Sequence, residues 1–250
     1  MTYPLPGPVR RGLGYLLAPL AAAGSAVRHA RVFHPDGVVF FATVEPLAAA
    51  GPVGALAARL EGRALVRLSN AWWRTGREWP DVLGVAVRFL GESPPTPGPK
   101  RGDQDLLFAT IRRPVTTVAA ALSTDPHDFL ANDYYAVSPF DVDGIGRAKL
   151  RLVPTHPGVP GRTRRQRLEN AVERGLAVFL LEVRPRGGGW TRVCAVRLFE
   201  ELAEGQASLR FWPFQSDRGL APRGLVNALR WATYRASQQA RGARSDPPLV

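Results

Sequence analysis

The chain has 250 residues and 45% hydrophobic content, so it can bury a full core as one domain. Its formal net charge of +12 would suit nucleic acid, an anionic membrane surface or an anionic ligand, and a GC-rich genome would also produce such an arginine bias. The single cysteine, Cys194, excludes cysteine-cluster metal sites and an intrachain disulfide, and its apolar alternating neighbours predict a buried core thiol.

The N-terminal segment has some features of a signal peptide. Two arginines precede an apolar stretch at residues 13–26, which Pro19 interrupts. Cleavage after this stretch would leave Arg31 and His34 almost at the new terminus, so we favour an N-terminal helix packed on the domain and a cytoplasmic protein, with export left open. No other segment reaches the ~20 apolar residues of a membrane span, so no transmembrane segment is predicted.

Short runs of alternating or β-branched residues predict eight strands. They cover residues 38–44, 64–69, 83–90, 105–111, 146–153, 176–183, 191–199 and 207–212. Helices are predicted at residues 54–61, 126–132, 163–175 and 220–241, a mobile surface loop at 93–103, and a turn packed on the barrel at 134–135. The predicted fold class is α+β, an eight-stranded antiparallel β-barrel with flanking helices, whose interior holds side chains or one small ligand. Residues 1–241 are predicted to form a single domain and residues 242–250 a flexible tail.

The last predicted helix carries an Arg/Tyr/Arg pattern. Arg230, Tyr234 and Arg241 fall at about 0°, 40° and 20° around a helix axis, so they share one face. A fixed cation favours the ionised form of a phenol, and a phenolate is a hard ligand for ferric iron. The simpler interpretation is a tyrosine packed on a basic surface helix, since short patterns recur by chance in an arginine-rich chain.

A second cluster lies far away in sequence. Residues 31–37 read Arg-Val-Phe-His-Pro-Asp-Gly, and residues 66–69 read Val-Arg-Leu-Ser. His34 stands at the entrance of the first predicted strand, and the hydroxyl of Ser69 could hold one of its ring nitrogens. That contact would fix the tautomer and leave the other nitrogen free to move a proton. The alternative for His34 is a turn histidine that caps the strand.

Together these motifs resemble those of the catalase-like haem proteins. The run Arg31-x-x-His34-x-x-Gly37 resembles the family's distal-histidine segment, and residues 66–69 resemble the stretch that follows it. Further similar segments occur in the same order at residues 76, 81, 84–89, 104–108, 211–214 and 230–241. The resemblance covers roughly residues 28–241 and implies a minimal version of the fold, with the barrel and flanking helices alone.

The resemblance implies that the chain binds haem b with ferric iron. Tyr234 would be the proximal iron ligand, and Arg230 the cation that keeps its phenol ionised. Arg31, Arg67 and Arg241 would pair with the haem propionates, for which a guanidinium is suited because it bonds a carboxylate bidentately.

On the distal side, the resemblance implies that His34 is the acid/base and Ser69 its orienting partner. The family also uses an asparagine amide there; depending on the alignment, Ala109 or Gln104 takes its place. Loss of that amide would remove a hydrogen bond of about 0.5–1.5 kcal/mol, or up to roughly tenfold in rate. We therefore expect a peroxide substrate and a small organic reductant rather than fast dismutation of hydrogen peroxide.

Other functions stay open at this point. The scaffold could rearrange a lipid hydroperoxide, as the allene oxide synthase branch of the family does, or bind haem without catalysis. The arginine-rich run at residues 162–167 suggests nucleic acid, but it is better explained as the solvated face of a helix that buries Leu168, Ala171 and Val172. We therefore expect no nucleic-acid partner, and a homodimer is left open.

Overall fold

A computed structural model describes residues 37–71, 73, 77–91, 95–111, 121–136, 138–203, 205–206, 208–212 and 216–223. Its strands are β1 (Gly37–Pro46), β2 (Gly62–Asn70), β3 (Leu83–Phe89), β4 (Gln104–Ala109), β5 (Tyr134–Ala136), β6 (Phe140–Val142), β7 (Gly146–Pro154), β8 (Val178–Pro185), β9 (Thr191–Glu201) and β10 (Leu220–Pro222). Its helices within this part of the chain include α1 (Gly51–Leu60), α2 (Arg164–Glu173) and a short 3-10 helix (Phe129–Ala131).

Eight of these strands close into an antiparallel barrel. Their order is β7-β5-β4-β3-β2-β1-β9-β8, and the pairing of β7 with β8 completes the ring. Strands β5 and β6 lie one after the other along the same edge of β7, through the pairs Tyr134↔Leu152 and Phe140↔Ala148. The predicted fold class, an eight-stranded antiparallel barrel with few flanking helices, is therefore confirmed.

One predicted barrel strand is wrong. Seven predicted strands correspond to β1–β4 and β7–β9, but the described part of the segment 207–212 forms no strand. Its alternation arises because Leu209 and Phe211 pack on the outside of the barrel. The eighth strand is instead β5, which was predicted to be a turn. Tyr134 in β5 is fully buried and donates a hydrogen bond from its hydroxyl to the carbonyl oxygen of Phe129 at 2.6 Å.

Helices α1 and α2 lie where they were predicted, each for a local reason. Helix α1 has a proline in its first turn, where a missing N–H costs no hydrogen bond. Helix α2 is capped by Thr163, whose side chain accepts a hydrogen bond from the backbone N–H of Gln166 at 3.1 Å. In the part of the chain that is described, no helix combines the length and the hydropathy needed to cross a bilayer.

Two other helix predictions were too long. The one at residues 126–132 is reduced to the 3-10 helix, whose N-cap Asp128 accepts a hydrogen bond from the backbone N–H of Leu130. The one at residues 220–241 begins with β10, and residues 224–241 lie outside the described part, as does the predicted tail. The predicted loop at 93–103 is anchored where it is described, because the buried Asp103 carboxylate accepts from the N–H groups of Gly91 and Lys100, both at 2.8 Å.

The barrel interior is filled with apolar side chains. Phe40, Val66 and Leu106 from one half meet Leu150 and Phe179 from the other half in one continuous core, and each is at most 2% exposed. A porphyrin macrocycle does not fit among them. Of the two interiors that the sequence allowed, the described residues show the one filled by side chains.

Cys194 lies in this core as a free thiol, as predicted. Burial raises its pKa to about 12, so the thiol stays protonated and unreactive at neutral pH.

Candidate functional site

Two of the predicted site residues, Arg67 and Ser69, lie side by side on one face of β2. Successive side chains of a strand point to opposite sides, so Val66 and Leu68 fill the barrel interior while Arg67 and Ser69 point away from it. Both are only 6% exposed. We call this side of β1–β4 the outer face. It carries residues from both sequence motifs, Gly37 from the first and Arg67 and Ser69 from the second.

A row of small residues crosses the outer face. The strand register pairs Gly37 with Ser69, Ser69 with Gly84, and Gly84 with Ala109. At about 4.8 Å between neighbouring strands, these four residues span about 14 Å. The next row contains Arg67 and, beside it, Ala86. The outer face therefore combines one row of small residues with a second row in which Arg67 lies between Val39 and Ala86.

Gly37 is required by the position of Arg67. A Cβ atom on Gly37 would stand 2.7 Å from the Nε and 2.9 Å from the Nη2 of Arg67, and 2.8 Å from the carbonyl oxygen of Leu68. All three distances are shorter than van der Waals contact. The last residue of the Arg-x-x-His-x-x-Gly motif thus makes room for the arginine of the Val-Arg-Leu-Ser motif, and the two motifs meet in the fold.

A buried ion pair on the same face was not assigned a role from the sequence. Arg88 and Asp105 are bidentate partners, with Nε–Oδ1 at 2.8 Å and Nη2–Oδ2 at 2.9 Å, and neither side chain is exposed. Burial raises the pKa of Asp105, although Arg88 beside it acts in the opposite direction. The sequence did contain a sign of this pair, since Arg88 and Asp105 are the charged residues of two mainly apolar strands, β3 and β4.

This ion pair fastens the segment 208–212 to the outer face. Arg88 donates to the carbonyl oxygen of Arg210 at 2.5 Å, and Asp105 accepts from the backbone N–H of Trp212 at 2.6 Å. Arg88 also lies over the ring of Phe211, 5.1 Å from its centroid. The part of the chain that leads toward the predicted tyrosine helix is therefore tied to the same side of the barrel as Arg67.

The two positions weighed for the missing distal amide lie on opposite sides of β4. Ala109 lies on the outer face, in the row that contains Ser69. Gln104 pairs with Phe89, is fully buried, and accepts from the backbone N–H of Arg218 at 3.4 Å. Positions 104 and 109 differ by an odd number, so in one strand they must point to opposite sides. That parity rule was available from the sequence.

Five predicted site residues lie outside the described part of the chain. They are Arg31, His34, Arg230, Tyr234 and Arg241. Their predicted roles stay predictions.

The two tyrosines of β5 do not provide an alternative iron ligand. Burial raises the pKa of Tyr134 well above its ordinary value, which opposes the phenolate that iron would need. Tyr135 lies beside Ala109 and donates its hydroxyl hydrogen to Asp133 at 3.0 Å. Within the ranges that the structure covers, no group of three or more His, Cys, Asp and Glu side chains could hold a metal ion.

The described residues contain one of the three predicted propionate partners, Arg67. Arg67 lies next to a row of small residues, and Gly37 makes room for its guanidinium. The predicted iron ligand, Tyr234, lies outside the described residues.

The arginine-rich run at 162–167 is largely engaged in structure. Arg165 is exposed and pairs with Glu169 at 2.6 Å and Glu201 at 2.7 Å. Arg164, predicted to lie on a solvated face, is instead 5% exposed and donates to the carbonyl oxygen of Pro126 at 2.7 Å. These contacts satisfy charges that nucleic acid would otherwise neutralise.

No protein-family model matches the chain, and no curated protein matches it significantly. The likeness to catalase-like haem proteins therefore depends on the motifs and on how the fold arranges them.

Proposed function

We propose that this chain is a haem-dependent peroxidase of the catalase-like kind, which reduces hydrogen peroxide or organic hydroperoxides by means of a tyrosinate-ligated ferric haem b. One observation carries the proposal. Gly37, which ends the distal-histidine motif, packs against Arg67 and pairs with Ser69, so two motifs separated by about thirty residues in sequence share one face of the barrel.

Arg67 would bind a propionate of the haem. A guanidinium presents parallel N–H groups to a carboxylate, and the low dielectric of a buried position strengthens the charge interaction. Arg67 is 6% exposed and borders the row of small residues, so a ring could lie flat beside it. Arg31 and Arg241 would bind the propionates from the other motifs.

His34 would move the proton of the peroxide. Three residues of chain reach at most about 11 Å, so the sequence position of His34, three before Gly37, allows its side chain to approach Ser69. A hydrogen bond with Ser69 at one ring nitrogen leaves the other nitrogen to take a proton from one peroxide oxygen. The same nitrogen can return it to the departing oxygen.

Haem held by the tyrosinate of Tyr234 would supply the redox chemistry, since an anionic oxygen ligand donates electron density to the iron. Arg230, four residues before Tyr234 in the sequence, would keep the phenol ionised. Ala109 provides no amide in the row that contains Ser69, and this favours peroxidase and hydroperoxide turnover with a small organic reductant over rapid release of oxygen.

Optical spectra of the purified protein, recorded before and after addition of hemin, test the proposal. Wild type and Tyr135→Phe should show the same haem spectrum, whereas Tyr234→Phe should lose or shift it. Tyr135 is a matched control because its hydroxyl already has Asp133 as a partner. The tyrosinate assignment would be overturned if the protein does not bind hemin, or if Tyr234→Phe and Tyr135→Phe both keep the wild-type haem spectrum.

Activity assays separate the related functions. We expect oxidation of an aromatic donor by peroxide to exceed oxygen evolution, and His34→Ala to abolish it while hemin uptake persists. Conversion of a lipid hydroperoxide to an epoxide without a reductant would indicate the allene oxide synthase type of reaction. A biological role unaffected by His34→Ala would indicate haem binding without catalysis.

A cytoplasmic location and a homodimeric state belong to the same proposal. Cell fractionation and light scattering on the purified protein test them.

A further inference from the structure

A basic pocket lies on the side of the barrel opposite Arg67. It is a concave surface of about 460 Å³ at the start of β7 and the end of β8, and β7 is four strands away from β2 around the ring. Its cationic lining residues are Arg147, Lys149, Arg184 and Arg186. Among the described residues, no acidic side chain lines it, and Pro139 and Pro185 supply an apolar border.

The four cations face each other as two like-charged pairs. Lys149 is the cross-strand partner of Arg184, and the backbone N–H of Arg186 donates to the carbonyl oxygen of Arg147 at 3.2 Å. Side chains directly opposite in an antiparallel pair are about 5 Å apart, and like charges there are destabilising. These two like-charged pairs therefore lower the stability of the folded barrel.

The next outward-facing pair along β7 and β8 has opposite charges. Arg151 lies opposite Glu182 and bonds it at 2.7 Å, with Asp133 at 3.3 Å on its other side. Arg184, only two residues after Glu182, has no such carboxylate partner among the described residues and instead lies over the ring of Trp190, 4.7 Å from its centroid. The cross-strand pairs of β7 and β8 thus change from opposite charges to like charges at the pocket.

Nearby acids do not neutralise the pocket. None of its four cations lies within ion-pair distance of a carboxylate in the described part of the chain. Asp141 is the cross-strand neighbour of Arg147 on β6, but its carboxylate is engaged by Arg223. A bound anion would remove the repulsion that the chain itself leaves in place.

We propose that the basic pocket binds a small ligand that carries a diphosphate or another multiply charged phosphate group. Four cationic side chains on one concave surface supply more positive charge than a single carboxylate would neutralise, and this suits two linked phosphates better. Guanidinium groups bond phosphate oxygens bidentately. The volume lies within the range of about 300–1,000 Å³ found for small-molecule sites.

A small ligand fits better than a macromolecular polyanion. The surface that borders the pocket carries acids, with Asp141 on one side and Glu182 and Asp133 on the other. A nucleic acid or a flat anionic membrane would have to cross them. A ligand confined to the concave surface would meet only the cations.

Calorimetric titration with inorganic pyrophosphate at about 0.15 M salt, where long-range attraction is screened, tests the proposal. Wild type should bind, and Lys149→Gln/Arg186→Gln should bind at least tenfold more weakly. The matched control is Arg162→Gln/Arg174→Gln, which removes the same charge from exposed positions near the two ends of α2 and should change the affinity less than twofold.

Equal weakening by both double variants would mean that only net charge matters, and would overturn the proposal. So would a wild-type protein that ignores pyrophosphate, including one that binds an oligonucleotide or anionic vesicles instead. Because the substitutions relieve repulsion, the pocket variant should unfold at an equal or higher urea concentration than wild type, which shows that it is folded. Hemin uptake should be unchanged, so the result is independent of the proposed haem function.

Discussion

The inner and outer faces of strands β1–β4 carry different kinds of residues. The inner face bears large apolar side chains such as Phe40, Val66 and Leu106, each at most 2% exposed. The outer face bears glycine, alanine and serine in one row, and the buried Arg67 in the next. The inner face accounts for the stability of the barrel through the hydrophobic effect. The outer face also contributes to it through the buried cluster that includes Val39, Leu65 and Phe211, while its row of small residues and Arg67 are where the proposed haem would bind.

Adjacent phenylalanines should show the largest difference between the faces. Phe40 lies in the core, so Phe40→Ala should lower the free energy of unfolding by about 3–5 kcal/mol through lost burial and a cavity. Phe41 points outward and stacks on Phe199 at 6.3 Å between centroids, so Phe41→Ala should cost only about 1 kcal/mol. Urea unfolding followed by circular dichroism measures both. Equal costs would contradict the assignment of the two faces.

The buried ion pair should be the most sensitive feature of the outer face. Asp105→Ala leaves the guanidinium of Arg88 buried without its carboxylate and should cost about 3 kcal/mol. The double variant Arg88→Met/Asp105→Leu buries no unpaired charge and should recover part of this loss. The free energies of unfolding of wild type, Asp105→Ala and the double variant test this expectation. A double variant no more stable than Asp105→Ala would show that the backbone hydrogen bonds, and not the charges, dominate.

The inner face is the part of the fold that the sequence predicts well. Strands of six or more residues repeat their apolar pattern often enough to be recognised, which is why β1–β4 and β7–β9 were predicted. The buried, free state of Cys194 followed from the same pattern. Strand β5 has three residues and too few repeats to show a period, so it was mistaken for a turn.

The outer face depends on which strands are neighbours, and this is not visible in a single sequence. Gly37 and Arg67 meet only because β1 pairs with β2 in one register, and Arg88 meets Asp105 only because β3 pairs with β4. The motifs identified Arg67 and Ser69 as candidates. They did not reveal that Gly37 makes room for Arg67.

Gly37→Ala should lower both the stability of the protein and its affinity for hemin. The added methyl would collide with the guanidinium of Arg67 and with the carbonyl oxygen of Leu68, at a cost of about 2 kcal/mol. If Arg67 binds a haem propionate, displacing it should also weaken hemin binding roughly tenfold, about 1.4 kcal/mol of binding free energy. Gly98→Ala is the control, since a Cβ at Gly98 meets open space. Normal hemin affinity in Gly37→Ala would argue against the role of Arg67.

Ala109→Asn should place a hydrogen-bond donor in the row that contains Ser69, two strands away from it. We expect up to roughly tenfold faster oxygen evolution from hydrogen peroxide, since one hydrogen bond contributes about 0.5–1.5 kcal/mol. Ala109→Leu has a similar size but no amide, and it should give no gain. A gain in both variants would indicate an effect of shape.

The thiol of Cys194 tests how completely the inner face excludes water. Its pKa is raised from 9.0 to about 12 by burial, so the folded protein favours the protonated form. The resulting contribution to stability is complete below pH 9 and is lost as the pH rises toward 12, because only the unfolded chain then ionises freely. At pH 8 a thiol reagent should therefore leave native Cys194 unmodified and react with it in guanidinium chloride. A cysteine introduced by Ala86→Cys, at a partly buried position of the outer face, should react in the native protein. Equal protection of both thiols would mean that the outer face is closed as tightly as the core and has no room for a ligand.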